Sequence, residues 1–149
     1  MYAVYVSTVM LTLLALAQTA FPVDRANQYA GAVNPMIACH AALIRYVEAN
    51  PGATGTIPKV AVDPYLGFGL TDPGSFTYVV NPAGTAMTYL TVPQAWQAFV
   101  TAAIVKASTW SVVAGPVTGG KIVPPLPLQP MSVAGVPNGV VAIQTVVHD

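Results

Sequence analysis

Apolar residues run almost unbroken from Tyr2 to Phe21, and no charged side chain occurs between Met1 and Val23. About twenty helical residues rise roughly 30 Å, the thickness of a bilayer's hydrocarbon core. A helix buried in a water-soluble domain would show a polar stripe, which this run lacks. The pattern therefore predicts an N-terminal membrane-spanning helix over residues 2–21. A signal-peptide reading stays open beside it. Val4 to Leu16 has the length of a signal-peptide core, and Ala15-Leu16-Ala17 offers small residues at a spacing suited to cleavage before Gln18. The retained anchor is preferred, because no Lys or Arg precedes the run and the apolar pattern continues through Ala20 and Phe21.

Beyond the anchor the period changes. Met36, Ile37, His40, Leu43, Ile44 and Val47 recur at helical spacing, so Asp24 to Asn50 reads as a helix, with a kink or break expected just before Pro35. Asn50-Pro51-Gly52 stops it. Phe76 to Val80 and Thr85 to Thr91 are β-rich runs joined by Asn81-Pro82-Ala83-Gly84, a turn sequence that predicts a hairpin. Thr91 and Pro93 then read as the cap and first turn of a helix whose inner face holds Trp96, Phe99, Val100, Ala103 and Ile104. Ser108 to Ala114, Gly120 to Val123 and Gly139 to Val147 supply further strands. The connection from Val123 to Pro137 holds Pro124, Pro125, Pro127 and Pro130, which deny it a place in a central strand, so it reads as a stiff surface crossing. The fold class expected is α+β: the spanning helix of residues 1–23, then a domain of residues 24–149 with a helix packed on a small antiparallel sheet, pilin-like in outline.

Composition narrows the function. Charged residues are 7% of the chain, hydrophobic ones 54%, and the formal net charge is zero. Soluble domains carry about 25% charged residues. Such scarcity of charge favours a component that buries surface against lipid or other subunits, with homo-oligomerisation one form this could take. Arg25, Arg45, Lys59, Lys106 and Lys121 are scattered, so no basic stripe exists to neutralise a phosphate backbone, and nucleic acid is not an expected partner. Cys39 is the lone cysteine and forms no internal disulfide.

Candidate chemistry is sparse. Cys39-His40 pairs a thiol with an imidazole, but neighbours on a helix point about 100° apart, and no further ligand stands three or four positions away. His148 is the other imidazole. Glu48, Asp63 and Asp72 are the carboxylates available for acid–base work, and the last two sit in Pro/Gly loops where a solvated side chain is the default. Gly67-Phe68-Gly69 and Gly119-Gly120-Lys121 lack the full phosphate-loop pattern and read as turns. Trp96, Trp110, Tyr78 and Tyr89 read as core aromatics rather than the lining of a cleft. No catalytic, cofactor-binding or metal-binding residue is assigned, no cofactor is expected, and the chain is not read as an enzyme.

The stretches Tyr46-Val47-Glu48-Ala49-Asn50-Pro51-Gly52-Ala53-Thr54-Gly55-Thr56-Ile57-Pro58 and Gly135-Val136-Pro137-Asn138-Gly139-Val140-Val141-Ala142-Ile143 resemble the PilM family of type IVB (thin) pilus systems. The chain's length and its N-terminal apolar segment agree with that family. The resemblance implies a bacterial inner-membrane component of a pilus-assembly or basal-body machine, found with conjugative-plasmid and related operons, with the C-terminal domain in the periplasm. Its partners would be other pilus proteins, and lipid through residues 2–21. The resemblance brings no active-site residue. A standard type IV prepilin would carry a small residue before the apolar run and a glutamate just inside it. This chain has no Gly before Gly31 and no Glu before Glu48. A pilin-like or minor pilus subunit remains the alternative, and an exported ligand-binding or hydrolytic domain is the alternative from another class.

Overall fold

The computed structural model of the chain describes residues 27–108, 112–125 and 129–147. The chain divides into two compact units, Met1–Gly31 and Ala32–Asp149. Of the first, only residues 27–31 are described, and they are helical. The expected spanning segment, residues 2–21, lies outside the described residues. Among the described residues no helix is long and apolar enough to cross a membrane.

Helix α1 covers residues 27–49. It carries through Pro35 without the expected break. Proline costs a helix one backbone hydrogen bond. Burial of Val33 and Met36 on one side of it, and of Cys39, Leu43 and Val47 on the other, favours the unbroken helix. Strand β1 (Gly55–Ile57), the single helical turn α2 (Lys59–Val62) and a 3-10 turn (Asp63–Tyr65) follow. The hairpin of β2 (Thr77–Val80) and β3 (Thr85–Thr91) forms as its turn sequence predicts. Asn81 closes the turn by accepting from the backbone N–H groups of Ala83 and Thr85 on its side-chain oxygen, at 3.0 and 2.9 Å.

The rest of the sheet comprises β4 (Val113–Thr118), β5 (Lys121–Ile122), β6 (Met131–Ser132) and β7 (Val140–Val146), in the order β1-β2-β3-β7-β4-β5-β6 with every pairing antiparallel. The last strand of the chain thus inserts between β3 and β4. Both run antiparallel to it and so parallel to each other, which requires a crossover. Helix α3 (Gln94–Ala107) makes that crossover and packs on β4 and β7.

Register fixes the two faces of the sheet. Tyr78 faces Thr88, Thr88 faces Ile143 and Ile143 faces Ala114, so these side chains share the face on which α1 lies. The opposite face presents Val79, Met87, Val117, Val140 and Ala142, and is covered by Ile122, Val133 and Val136. With both faces buried, β7 reads as the continuous run Val140-Val141-Ala142-Ile143 instead of an alternating one. The segment expected to cross the surface as a stiff loop therefore does more. It includes β6, and Val133 and Val136 from its second half close the core.

Two glycine sites shape the β4 edge. Gly119 and Gly120 both take positive φ, 59° and 70°, in the two-residue turn between β4 and β5. A Cβ at Gly115 would collide with the Val123 carbonyl, so only glycine permits this approach of the two backbones. The N-terminus of α3 differs from expectation. Thr91 is the last residue of β3, and the cap position falls to Pro93 with no side-chain cap bond. Gln97 ties that end down instead, donating to the carbonyls of Val92 at 3.1 Å and Gly139 at 2.8 Å. The helix is also rotated from the expected orientation. Val100, Thr101, Ile104 and Val105 are buried, while Phe99 is 44% exposed and stacks edge-on against Trp96.

Candidate functional site

Cys39 and His40, adjacent in sequence, serve two separate networks. His40 is buried, and its two ring nitrogens lie 3.0 Å from the hydroxyls of Thr88 on β3 and Thr145 on β7. The imidazole thus pins α1 to the two central strands. Burial pulls its pKa from 6.5 down to about 4, so the ring is neutral near neutral pH. With both nitrogens occupied, it has no lone pair to spare for a metal.

Cys39 is buried and interacts with the buried Tyr78 phenol on β2. Tyr78 in turn donates to Asp72 Oδ2 at 2.6 Å. Asp72 Oδ1 accepts from the Gly74 N–H at 2.7 Å, and Lys59 Nζ donates to the Asp72 carbonyl at 2.8 Å. Asp72 is only 5% exposed, which corrects its reading as a solvated loop carboxylate. Hydrogen bonds to its carboxylate from Gly74, two residues on, and Tyr78, six residues on, offset the cost of burying it. Burial, aided by Asp72 and Asp63, raises the Cys39 pKa against the opposing hydrogen bond from Tyr78. Burial is also the main cause holding the Tyr78 phenol up. Both groups stay protonated near neutral pH, so the thiol is the reverse of an activated nucleophile.

The network anchors the loop between β1 and β2. Arg45 on α1 donates to the Tyr65 carbonyl at 3.1 Å, and the Tyr46 and Tyr65 rings meet edge-to-face at 5.7 Å. Beyond these braces the loop presents Phe68 fully exposed, Val60 at 76% and Leu70 at 51%. Sequence reading placed Gly67-Phe68-Gly69 as a turn, and the Leu70 N–H bonded to the Gly67 carbonyl at 3.0 Å agrees. The apolar knob at its tip was missed, although a Phe between two glycines is a visible signal for it. Beside the loop, a cavity of about 410 Å³ opens between Pro35 and Ala38 of α1 and Leu66 and Leu70. A second, of about 390 Å³, lies between α3 and the Pro116 and Val123–Pro125 backbone. A third, of about 230 Å³, lies beside His40.

The remaining candidates do not converge. Glu48 and Asp63 are exposed, and Tyr89 packs against the cluster around Met87. Lys121 is exposed on β5, away from any helix start. Trp110 and His148 lie outside the described residues. Among the described residues no three His, Cys, Asp or Glu side chains are grouped to hold a metal ion.

A seven-stranded antiparallel sheet carrying helices defines an α+β protein. The profile of the PilM family matches residues 4–143, and the chain belongs to that family. A crystal structure described as PilM from Escherichia coli B7A shares the fold, with a TM-score of 0.54 and 13% sequence identity over 83% of this chain and 94% of that one. No curated protein sequence matches the chain. Family membership points to a pilus-related role.

Proposed function

We propose that the protein is a structural component of a type IVB pilus-assembly or basal-body machine, acting through contacts with other pilus proteins. The observation that carries this reading is the PilM family match over almost the whole chain. The scarcity of charge supports it, because a component that buries its surface in an assembly needs few solvated charges. In this reading residues 2–21 hold the chain in the bacterial inner membrane and the domain works in the periplasm. The Tyr78–Asp72 hydrogen bond and the His40 bridge act as braces.

The test is to express the full chain with a C-terminal tag, wash the membranes with carbonate, and determine the N-terminus by mass spectrometry. An intact N-terminus in washed membranes, with the tag open to protease only from the periplasm, is the expected result. A soluble product beginning at Gln18 would overturn the anchor. Recovery of the chain along the length of sheared, purified pili would replace an assembly component with a pilus subunit.

A further inference from the structure

We infer that Asn138-Gly139 is a latent deamidation site that the fold keeps closed, so that conversion of Asn138 to aspartate or isoaspartate irreversibly marks copies of the chain in which the start of β7 has come away from β4. The inference is independent of the pilus-assembly reading.

The reactivity is set by the sequence. In deamidation the backbone nitrogen of the following residue loses its hydrogen and attacks the side-chain carbonyl carbon of asparagine. The new nitrogen–carbon bond closes a five-membered succinimide as ammonia leaves. Water then opens the ring at either carbonyl, giving aspartate or isoaspartate. Of the five asparagines, Asn34, Asn50 and Asn81 precede prolines, whose nitrogen carries no hydrogen to lose, and Asn27 precedes the bulkier Gln28. Asn138 alone precedes a glycine, which has no side chain to obstruct the attack. Both residues are exposed in the turn before β7, so water has access to the ring once it forms.

The fold withholds the attacking nitrogen. The Gly139 N–H donates to the Val117 carbonyl on β4 at 2.9 Å, so the hydrogen that must leave is held by the protein instead of by water. The groups on either side of it are tied as well. Asn138 Oδ1 accepts from the Gly120 N–H at 3.1 Å, which holds the side-chain amide against the β4–β5 turn, and the Gly139 carbonyl accepts from Gln97 Nε2 on α3 at 2.8 Å. Succinimide formation therefore requires the Gly139–Val117 bond to break first. The isoaspartate product adds a methylene to the main chain just before Gly139, and β7 begins at the next residue, Val140. That insertion displaces Gly139 from Val117 and Gln97, so a copy that has reacted does not reclose in its original register.

The test incubates the purified full chain in detergent at pH 8 and 37 °C, folded in buffer and unfolded in guanidinium chloride, and follows conversion at position 138 by peptide mass spectrometry. Conversion should be at least about tenfold slower in the folded chain, because the site reacts only from open states. Gln97→Ala, which removes the donor to the Gly139 carbonyl, should speed conversion in the folded chain about fivefold, the worth of one hydrogen bond, and leave the rate in the unfolded chain unchanged. Equal rates in folded and unfolded wild type would overturn the inference. So would an unfolded chain that does not convert at 138, or a folded rate that Gln97→Ala does not raise. The wild-type comparison stands without the variant.

Discussion

Acidification from pH 7.5 to 5 should destabilise the domain through His40. The ring is buried between α1, β3 and β7 with a threonine hydroxyl at each nitrogen. Those hydroxyls could accept from a protonated ring as readily as they serve a neutral one, so burial alone sets the direction. The folded pKa is about 4 against 6.5 for the unfolded chain. Between those values the unfolded state takes up a proton that the folded state refuses. The contribution of His40 is thus fully present above pH 6.5, falls as pH drops toward 4, and levels off below that. Linkage gives a loss of about 2 kcal/mol by pH 5 and about 3 kcal/mol in full. Urea unfolding followed by circular dichroism at pH 7.5, 6 and 5 measures it. With an m-value of about 1–3 kcal/mol/M for a small domain, the midpoint should move by roughly 1 M. The variant His40→Gln, which keeps polar atoms at the site but cannot titrate there, should lose most of this dependence while being less stable at pH 7.5. Equal midpoints at pH 7.5 and 5 in the wild type, or titration of the assigned His40 ring near 6.5 by NMR, would refute the reasoning.

The rotation of α3 gives a paired test: Val100→Asp should unfold the domain, since an unpaired charge at a side chain 1% exposed costs several kcal/mol, while Phe99→Asp at 44% exposure should shift the thermal midpoint only slightly. Equal effects at the two positions would contradict the observed facing. Gly115→Ala should cost roughly 1–3 kcal/mol in denaturant unfolding, because the Val123 backbone must retreat; a stability gain would show that the two strands are not in close approach. Tyr78→Phe removes the hydroxyl that donates to Asp72, and should cost about 1–3 kcal/mol and speed amide exchange across residues 58–76. Unchanged exchange in that loop would mean that Asp72 does not brace it.

The parts of the fold legible in the sequence are those set by local chemistry. Asn81-Pro82-Ala83-Gly84 contains its own turn, so the hairpin and the bounds of β3 could be read directly. The helical spacing from Met36 to Val47 marks much of the buried side of α1, with Met36, His40, Leu43 and Val47 buried and Ile37 and Ile44 half-buried. The orientation of α3 was not legible. Trp96, Phe99, Val100, Ala103, Ile104 and Val105 surround most of the helix with apolar groups, and only the partner strands β4 and β7 decide which are buried. Strands β1 and β6 are three and two residues long, too short for a period to show. The bracing of Asp72 depends on Tyr78 and Lys59, which no spacing rule connects to it. Cys39 and His40 are neighbours on α1 that point apart, and His40 meets Thr88 on β3 and Thr145 on β7 while Cys39 interacts with Tyr78 on β2.

The most direct measurement of the pilus-assembly role is a pilus count by electron microscopy in a pilus-producing host that lacks this chain, with and without the wild-type chain restored. Loss of pili on deletion and their return on restoration, with the chain absent from the body of the sheared fibre, is the result an assembly component requires. Pili of normal number and length in the deletion strain would contradict it.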